Sequence, residues 1–396
     1  MRPLFPSPPP SPMPRDPDRA VLVRRALQDR LLETLRYLAD EVEVRRVGGL
    51  GEAQAAGYVA GRLQRAEQHA TVMSFRAGAG RIPAIVVVIM LGVGASLLPA
   101  IMPQRAVMGG SLLLLGCVAA LFWTEIEGPA PLAYLLGRHT SQSVVGVRAA
   151  LAGEDRARLR VVLTAPLDDA PRLPPRSVLL LVLQVLLFLA VVLIWLFVTM
   201  YLPLRWVLLT GACMLAISAA AIVTTQWRRR LRPAIAGAGE LAVLIAVAEE
   251  LGELQRVELW TVAMGAASAG DVGMRRLFER YPFGNDTCFI NLHHMTTGQP
   301  VFVTREGVLR ERRSDRRLLA LASAADAADV TIDAQPRRLR TRTLAALPLQ
   351  RGYPGISISS HPGSGAVATP EPGALERCVR LIVGMIRQLD SEGAAG

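Results

Sequence analysis

Lysine is absent from this 396-residue chain, so all 44 of its basic residues are arginines, set against 33 Asp and Glu for a net charge of +11. We read the missing lysine as the bias of a GC-rich genome rather than as chemistry. Cysteine is scarce too. Of the four, Cys117 and Cys213 fall inside long apolar runs, while Cys288 and Cys378 stand alone without CxxC spacing. That pattern argues against both a disulfide framework and a structural zinc. Aromatic residues make up only 5%, and the arginine clusters at 310–317 and 337–342 come with no nucleic-acid-binding motif, so no nucleic-acid partner is expected. Anionic lipid headgroups are the counterpart those clusters suggest, with a solvated surface as the plainer alternative. The opening "MRPLFPSPPPSPMPRDPD" lacks the apolar segment of a secretory signal and is a Pro-rich tail that cannot form a core.

What the chain has in excess is apolar side chains: 51% of residues are hydrophobic and the mean hydropathy is +0.33, too apolar for an ordinary soluble domain. Four runs, Ile82–Met102, Ala106–Trp123, Val178–Leu202 and Trp206–Thr225, contain no Asp, Glu, Arg or Lys. At about 1.5 Å per residue each approaches the roughly 30 Å of a hydrocarbon core. The expectation is four transmembrane helices in two hairpins, turning at Pro103-Gln104-Arg105 and Pro203-Leu204-Arg205. Arg76, Arg81, Arg172, Arg176, Arg228, Arg229, Arg230 and Arg232 flank the other ends, which by the positive-inside rule predicts a multi-pass protein of the cell membrane with both termini and the polar portion cytoplasmic. Membrane lipids and other membrane proteins are then the expected partners, with the oligomeric state open. Gln184 is the only strongly polar side chain in the runs, which speaks against transport; Gly92, Ser96, Gly109 and Gly211 read as helix-packing positions.

The polar portion alternates helix and strand. Helices are predicted at Asp18–Asp40, Leu50–Gln68, Gly239–Leu251, Asp271–Tyr281 and Ser314–Ala328, and from a Thr369 cap with Pro370 in the first turn to Leu389. Strands are predicted at Thr71–Phe75, Ser143–Arg148, Leu159–Thr164, Val257–Ala263, Thr287–His293, Val301–Thr304, Val330–Ala334 and Gly355–Ser359. The division that follows is a disordered tail 1–18, an α/β domain in three pieces (19–81, 124–176 and 227–390), membrane hairpins at 82–123 and 177–226, and a flexible tail 391–396.

In that order the segments resemble the di-zinc aminopeptidases, metallopeptidase family twenty-eight, whose members include non-catalytic receptor ectodomains. "LRYLADEVEVRRVGGLGEAQAAGYVAGRLQ" resembles the family's opening helix pair, and "SVVGVRAALAGEDRARLRVVLTAPLDD" is similar to its strand pair ending in His-x-Asp. "PAIAGAGELAVLIAVAEEL" resembles the segment carrying a bridging Asp. "VELWTVAMGAASAGDVGMRRL" resembles the strand and turn bearing a Glu-Glu pair followed by spaced glycines, with Gly270 and Gly273 in register. "CFINLHHM" matches the next strand, which ends in Asp, and "GYPGISIS" with "HPGSGAVATPEPGALERC" the final strand and His-bearing loop. The resemblance implies a mixed sheet flanked by helices. It also implies that the strands at 71–75, 143–148 and 159–164 form an up-down-up meander, so that the first hairpin leaves from the same edge as the second, which departs just after Asp169 at the site.

The resemblance fails at each chemical position. The ligand His falls at Pro166, although Asp168, which would orient it, remains. The bridging carboxylate falls at Ile235 or Ala236, the Glu-Glu pair at Ala267-Ser268, the next Asp at His293, and His361 lies about three residues out of register for the last His. Two zinc ions need carboxylates to neutralise them and a base to deprotonate their bridging water. The expected protein is therefore a catalytically degenerate, membrane-anchored aminopeptidase-like domain, without cofactor, that binds or scaffolds. Asp168, His293 and His361 are its expected binding residues, and the old pocket near Asp168 and His293 is expected to receive a lipid headgroup or the end of a partner's helix. The alternative is an active zinc hydrolase with a rebuilt site in which Asp168, His293 and His361 hold one metal. His293 and His294, adjacent on a strand, are expected to point to opposite faces.

Overall fold

The computed structural model describes residues 17–78, 81–101, 105–127, 130–151, 159–168, 211–213, 215–217, 219–220, 237–307, 310–361 and 370–392. In chain order the elements are α1 (Pro17–Arg36, continued by a π turn, Tyr37–Glu41), α2 (Leu50–Arg65), β1 (His69–Ala77), α3 (Arg81–Ile101), α4 (Arg105–Glu127), α5 (Pro131–Leu135), β2 (His139–Arg148), β3 (Leu159–Pro166), α6 (Ala238–Glu250) and β4 (Val257–Met264). They continue as α7 (Val272–Arg280), β5 (Thr287–His293), β6 (Gln299–Glu306), β7 (Arg312–Arg313), α8 (Arg316–Ala328), β8 (Gln335–Leu339), α9 (Ala346–Gln350), β9 (Gly355–His361) and α10 (Pro372–Glu392).

One mixed sheet of order β1-β2-β4-β3-β5-β9-β6-β7, with β8 also paired to β6, organises the domain. The central strands β4, β3, β5 and β9 are parallel, and every residue of β4 and β5 is buried, as expected of strands covered on both faces. One face carries α1, α2, α6, α8 and α10. There Val161, Leu163 and Ala165 of β3, with Leu167 just after it, pack with Leu31, Val59, Leu244, Leu321 and Ile382. The α6 segment is buried along its length from Ala238 to Ala248, which is why its sequence shows no polar stripe. The other face is covered by α7 and α9, where Val162, Val262 and Phe289 meet Met274, Leu277 and Leu347. Trp260, Phe278, Phe283, Phe289 and Tyr353 form an edge-to-face and stacked cluster there with centroids 5.4 to 5.5 Å apart.

The strand directions behave as the resemblance implies: β1 and β2 are antiparallel, and β2 is antiparallel to β4. The chain therefore leaves β1 for α3 and α4 at the end where β3 and β4 terminate. It is not a meander, because β4 lies between β2 and β3. The segment expected as a strand at Val330–Ala334 is irregular. The strand forms next to it, at Gln335–Leu339, where pairing with β6 overrides the poor strand propensity of Pro and Arg. The last helix starts at Pro372 rather than at Pro370, and its expected Thr369 cap lies outside the described residues.

The four transmembrane helices are not supported: among the described residues no helix is long and apolar enough to cross a membrane. Of the second hairpin, Val178–Leu202 lies outside the described residues, and Trp206–Thr225 lies mostly outside them. The first hairpin forms α3 and α4, but one side of it meets protein. Ala84, Ile85, Val88, Ile89 and Ala95 are at most 3% exposed, and the cluster here joins Ile85, Val88 and Ile89 to Phe122, Leu215 and Ala219. An apolar run reads the same in sequence whether the surface it meets is protein or lipid. The remaining side of α3 and α4 leaves Met90, Leu91, Leu113 and Trp123 exposed.

Candidate functional site

The carboxyl ends of parallel strands are where open α/β sheets place their sites, and here β3 delivers Asp168 and β5 delivers His293 to that end. Alternation along β3 puts Val162, Thr164 and Pro166 on the face opposite α6, and Asp168 follows two residues past the strand's end. Pro166 pairs with Met264, and His293 with Ser359 of β9. Asp168 and His293 are 3% and 2% exposed.

The turn after β4 is the heart of the region. Four successive backbone amides each donate to a side chain from another element: Gly265 to Ser143 Oγ (3.0 Å), Ala266 to Glu52 Oε1 (3.3 Å), Ala267 to Asp168 Oδ1 (2.7 Å) and Ser268 to Asp168 Oδ2 (3.0 Å). Consecutive N–H groups around a left-handed residue form a natural anion nest, and Ala266 (φ 50°) supplies that conformation. Gly265 is required by close approach, since a Cβ there would lie 1.9 Å from the Gln142 carbonyl. The turn closes through Asp271, also left-handed at φ 61°, whose carboxylate pairs with Arg342.

Glu52 braces the same turn from below. It is 1% exposed, accepting from Gly48 N (2.6 Å) and Ser141 Oγ (2.7 Å) as well as from Ala266. Burial pushes its pKa up to about 7, with the neighbouring Asp168 charge adding in the same direction against the hydrogen bonds that lower it. Arg45, 1% exposed, donates from Nε to the Leu167 carbonyl at 3.0 Å, fixing the residue before Asp168. Glu240, on the first turn of α6, accepts from His294 N at 3.0 Å. The chain turns at His294 (φ 50°) immediately after β5, so strand alternation ends there. The His293 and His294 rings stand edge-to-face with centroids 4.5 Å apart instead of on opposite faces of the sheet. A second polar group runs below: Thr164 Oγ1 donates to Asn291 Oδ1 (3.2 Å), Asn291 Nδ2 to Ser357 Oγ (3.3 Å), and Ser357 Oγ to Glu306 Oε2 (2.7 Å). Burial raises the Glu306 pKa, while the Ser357 and Thr343 hydroxyls and the Arg342 and Arg312 charges oppose that rise.

Of the residues singled out in the sequence, the fold brings together Asp168, Ala267 and Ser268 by direct hydrogen bonds, with Pro166 and His293 on neighbouring strands. Ala236 lies outside the described residues; His361 ends β9 opposite Gln299, and its side chain lies outside them as well. Glu52, Arg45 and Glu240 were missed. The signals available were a Glu inside a Gly-rich helix start, "GGLGEA", and a Glu heading an otherwise apolar helix, "GAGELAVLIAVA".

The described residues do not fit a pair of zinc ions. No group of three His, Cys, Asp or Glu among them could hold a metal. Asp168, the surviving carboxylate, has both oxygens engaged by the backbone of the turn that would carry the Glu-Glu pair. What the arrangement can do is hold a rigid turn in place at the strand ends.

The sequence matches no family model and none of the curated proteins. Among solved structures it is similar to the zinc aminopeptidase BSAP from Bacillus subtilis (TM-score 0.53, 10% identity, 91% of this chain and 95% of that one). It is also similar to the aminopeptidase from Aneurinibacillus sp. strain AM-1 (0.50, 11%, 91% and 93%) and to the glutaminyl cyclase of Macrostomum lignano (0.51, 13%, 97% and 95%). Identities this low speak to architecture alone, and in architecture the chain is a zinc-aminopeptidase-like α/β domain.

Proposed function

We propose that this is a pseudo-peptidase: an aminopeptidase-like domain that binds or scaffolds and does not hydrolyse. The observation that carries the reading is the double hydrogen bond from Ala267 and Ser268 to Asp168, which ties up the remaining carboxylate at positions where the resemblance implies a base and a ligand. The exposed side of α3 and α4, with Leu113 74% and Trp123 56% exposed, supports contact with membrane lipid or an apolar membrane protein laid against that surface.

Zinc content and turnover test the chemistry. Purified protein is expected to hold well under one equivalent of zinc and to leave aminoacyl anilides intact. Stoichiometric zinc, together with turnover abolished by Asp168→Ala or His293→Ala, would overturn this reading in favour of a hydrolase with a rebuilt site.

A further inference from the structure

At the amino end of β9, opposite the site, three arginines stand in one row across the sheet. Arg305 on β6 pairs with Arg313 on β7 and, just past a register shift between Val303 and Arg305, with Arg338 on β8. Directly opposed residues share a face, with strands about 4.8 Å apart. Like charges so placed are destabilising, and among the described residues little offsets them. Glu311 lies 3.5 Å from Arg305, with 47% and 33% of their side chains exposed. Asp315 is engaged in capping α8, accepting from Arg317 N and Leu318 N. Arg313 and Arg338 are exposed, and neither they nor Arg310, Arg316, Arg337 and Arg340 around them form an ion pair among the described residues.

We infer that this row is a docking surface for an acidic segment of a partner protein. Guanidinium forks grip carboxylates in a bidentate manner, and a set of them in fixed register on a sheet is organised before binding. Addition of a partner strand to the β8 edge is disfavoured. Arg337 O accepts from Thr304 Oγ1, and Leu339 O accepts from Gly307 N, so these residues face β6. Pro336 is thereby turned outward, without an N–H to give. Single-stranded nucleic acid would want stacking rings, and β6, β7 and β8 carry no aromatic residue except the buried Phe302. A bilayer would want apolar side chains beside the charges, and none of the exposed large hydrophobic residues lies on these strands.

The surface is remote from Asp168, so the inference stands or falls independently of the pseudo-peptidase reading. The test uses the full chain and a fluorescein-labelled, glutamate-rich peptide, read by anisotropy at low and raised salt. Arg305→Gln, Arg313→Gln and Arg338→Gln together should weaken binding by about tenfold or more, with a thermal midpoint no lower than the parent's. A control removing equal charge elsewhere, Arg25→Gln with Arg36→Gln and Arg65→Gln, should stay within about twofold. Absence of peptide binding, or equal weakening by both triple variants, overturns the inference. So does tighter capture of phosphatidylserine vesicles or a single-stranded oligonucleotide that disappears in the first variant.

Discussion

Glu52 shows how a single buried carboxyl leaves a mark on the whole protein. Its folded pKa of about 7 lies above the ordinary 4.5, so the native chain binds more protons than the unfolded one between those values. Stability therefore falls as pH rises through that window, and linkage puts the loss at roughly 3 kcal/mol. In Glu52→Gln the fall should flatten, which denaturant titrations at pH 5 and pH 8 would register as a smaller difference than in the parent. An unchanged difference would mean that Glu52 does not titrate there. Asp168 meets the same turn differently: its two oxygens take two backbone donors at 2.7 and 3.0 Å, so that, with Ala266 N on Glu52, the pair of carboxyls beneath one turn holds three of its amides between them.

At the scale of elements, the turn between β4 and α7 depends on glycine where the backbone crosses itself. A Cβ on Gly273 would lie 2.2 Å from the Gly265 carbonyl and 2.8 Å from Met264 Sδ. Gly273→Ala should therefore cost about 1–3 kcal/mol, seen as a lower denaturation midpoint with secondary structure retained. This glycine was legible in the sequence through its register with the family's turn, and so were β3, β4 and β5, whose apolar runs stop within about two residues of the observed ends. The bracing by Glu52 and Glu240 was not legible, because an isolated Glu near a helix start looks like an ordinary first-turn acid until the fold buries it. Nor was the fate of the run that became α3: Ile85, Val88 and Ile89 would have the same composition against lipid or against Phe122. The strand at Gln335–Leu339 was hidden because its pairing partner, not its own residues, determines it.

Across the whole molecule, the four cysteines report on which surfaces are covered. Cys288 and Cys378 are buried, and burial pushes both thiols up to about 12, whereas Cys117 and Cys213 are exposed. A water-soluble maleimide should add two labels to the native chain and four after unfolding. Lipid vesicles should slow the reaction of Cys117 on α4 if the apolar side of that helix meets lipid; an unchanged rate would discount that contact. The two surfaces proposed for partners also lie at opposite poles. The α3–α4 pair departs where β3 and β4 end, and the arginine row sits level with the first residue of β9. Rigid strands about 20 Å long separate them, so an occupant of one pole has no steric claim on the other. Saturating the apolar pole should leave the affinity of the basic pole unchanged, and a protein built this way can hold two unlike molecules at a fixed separation without either sensing its neighbour.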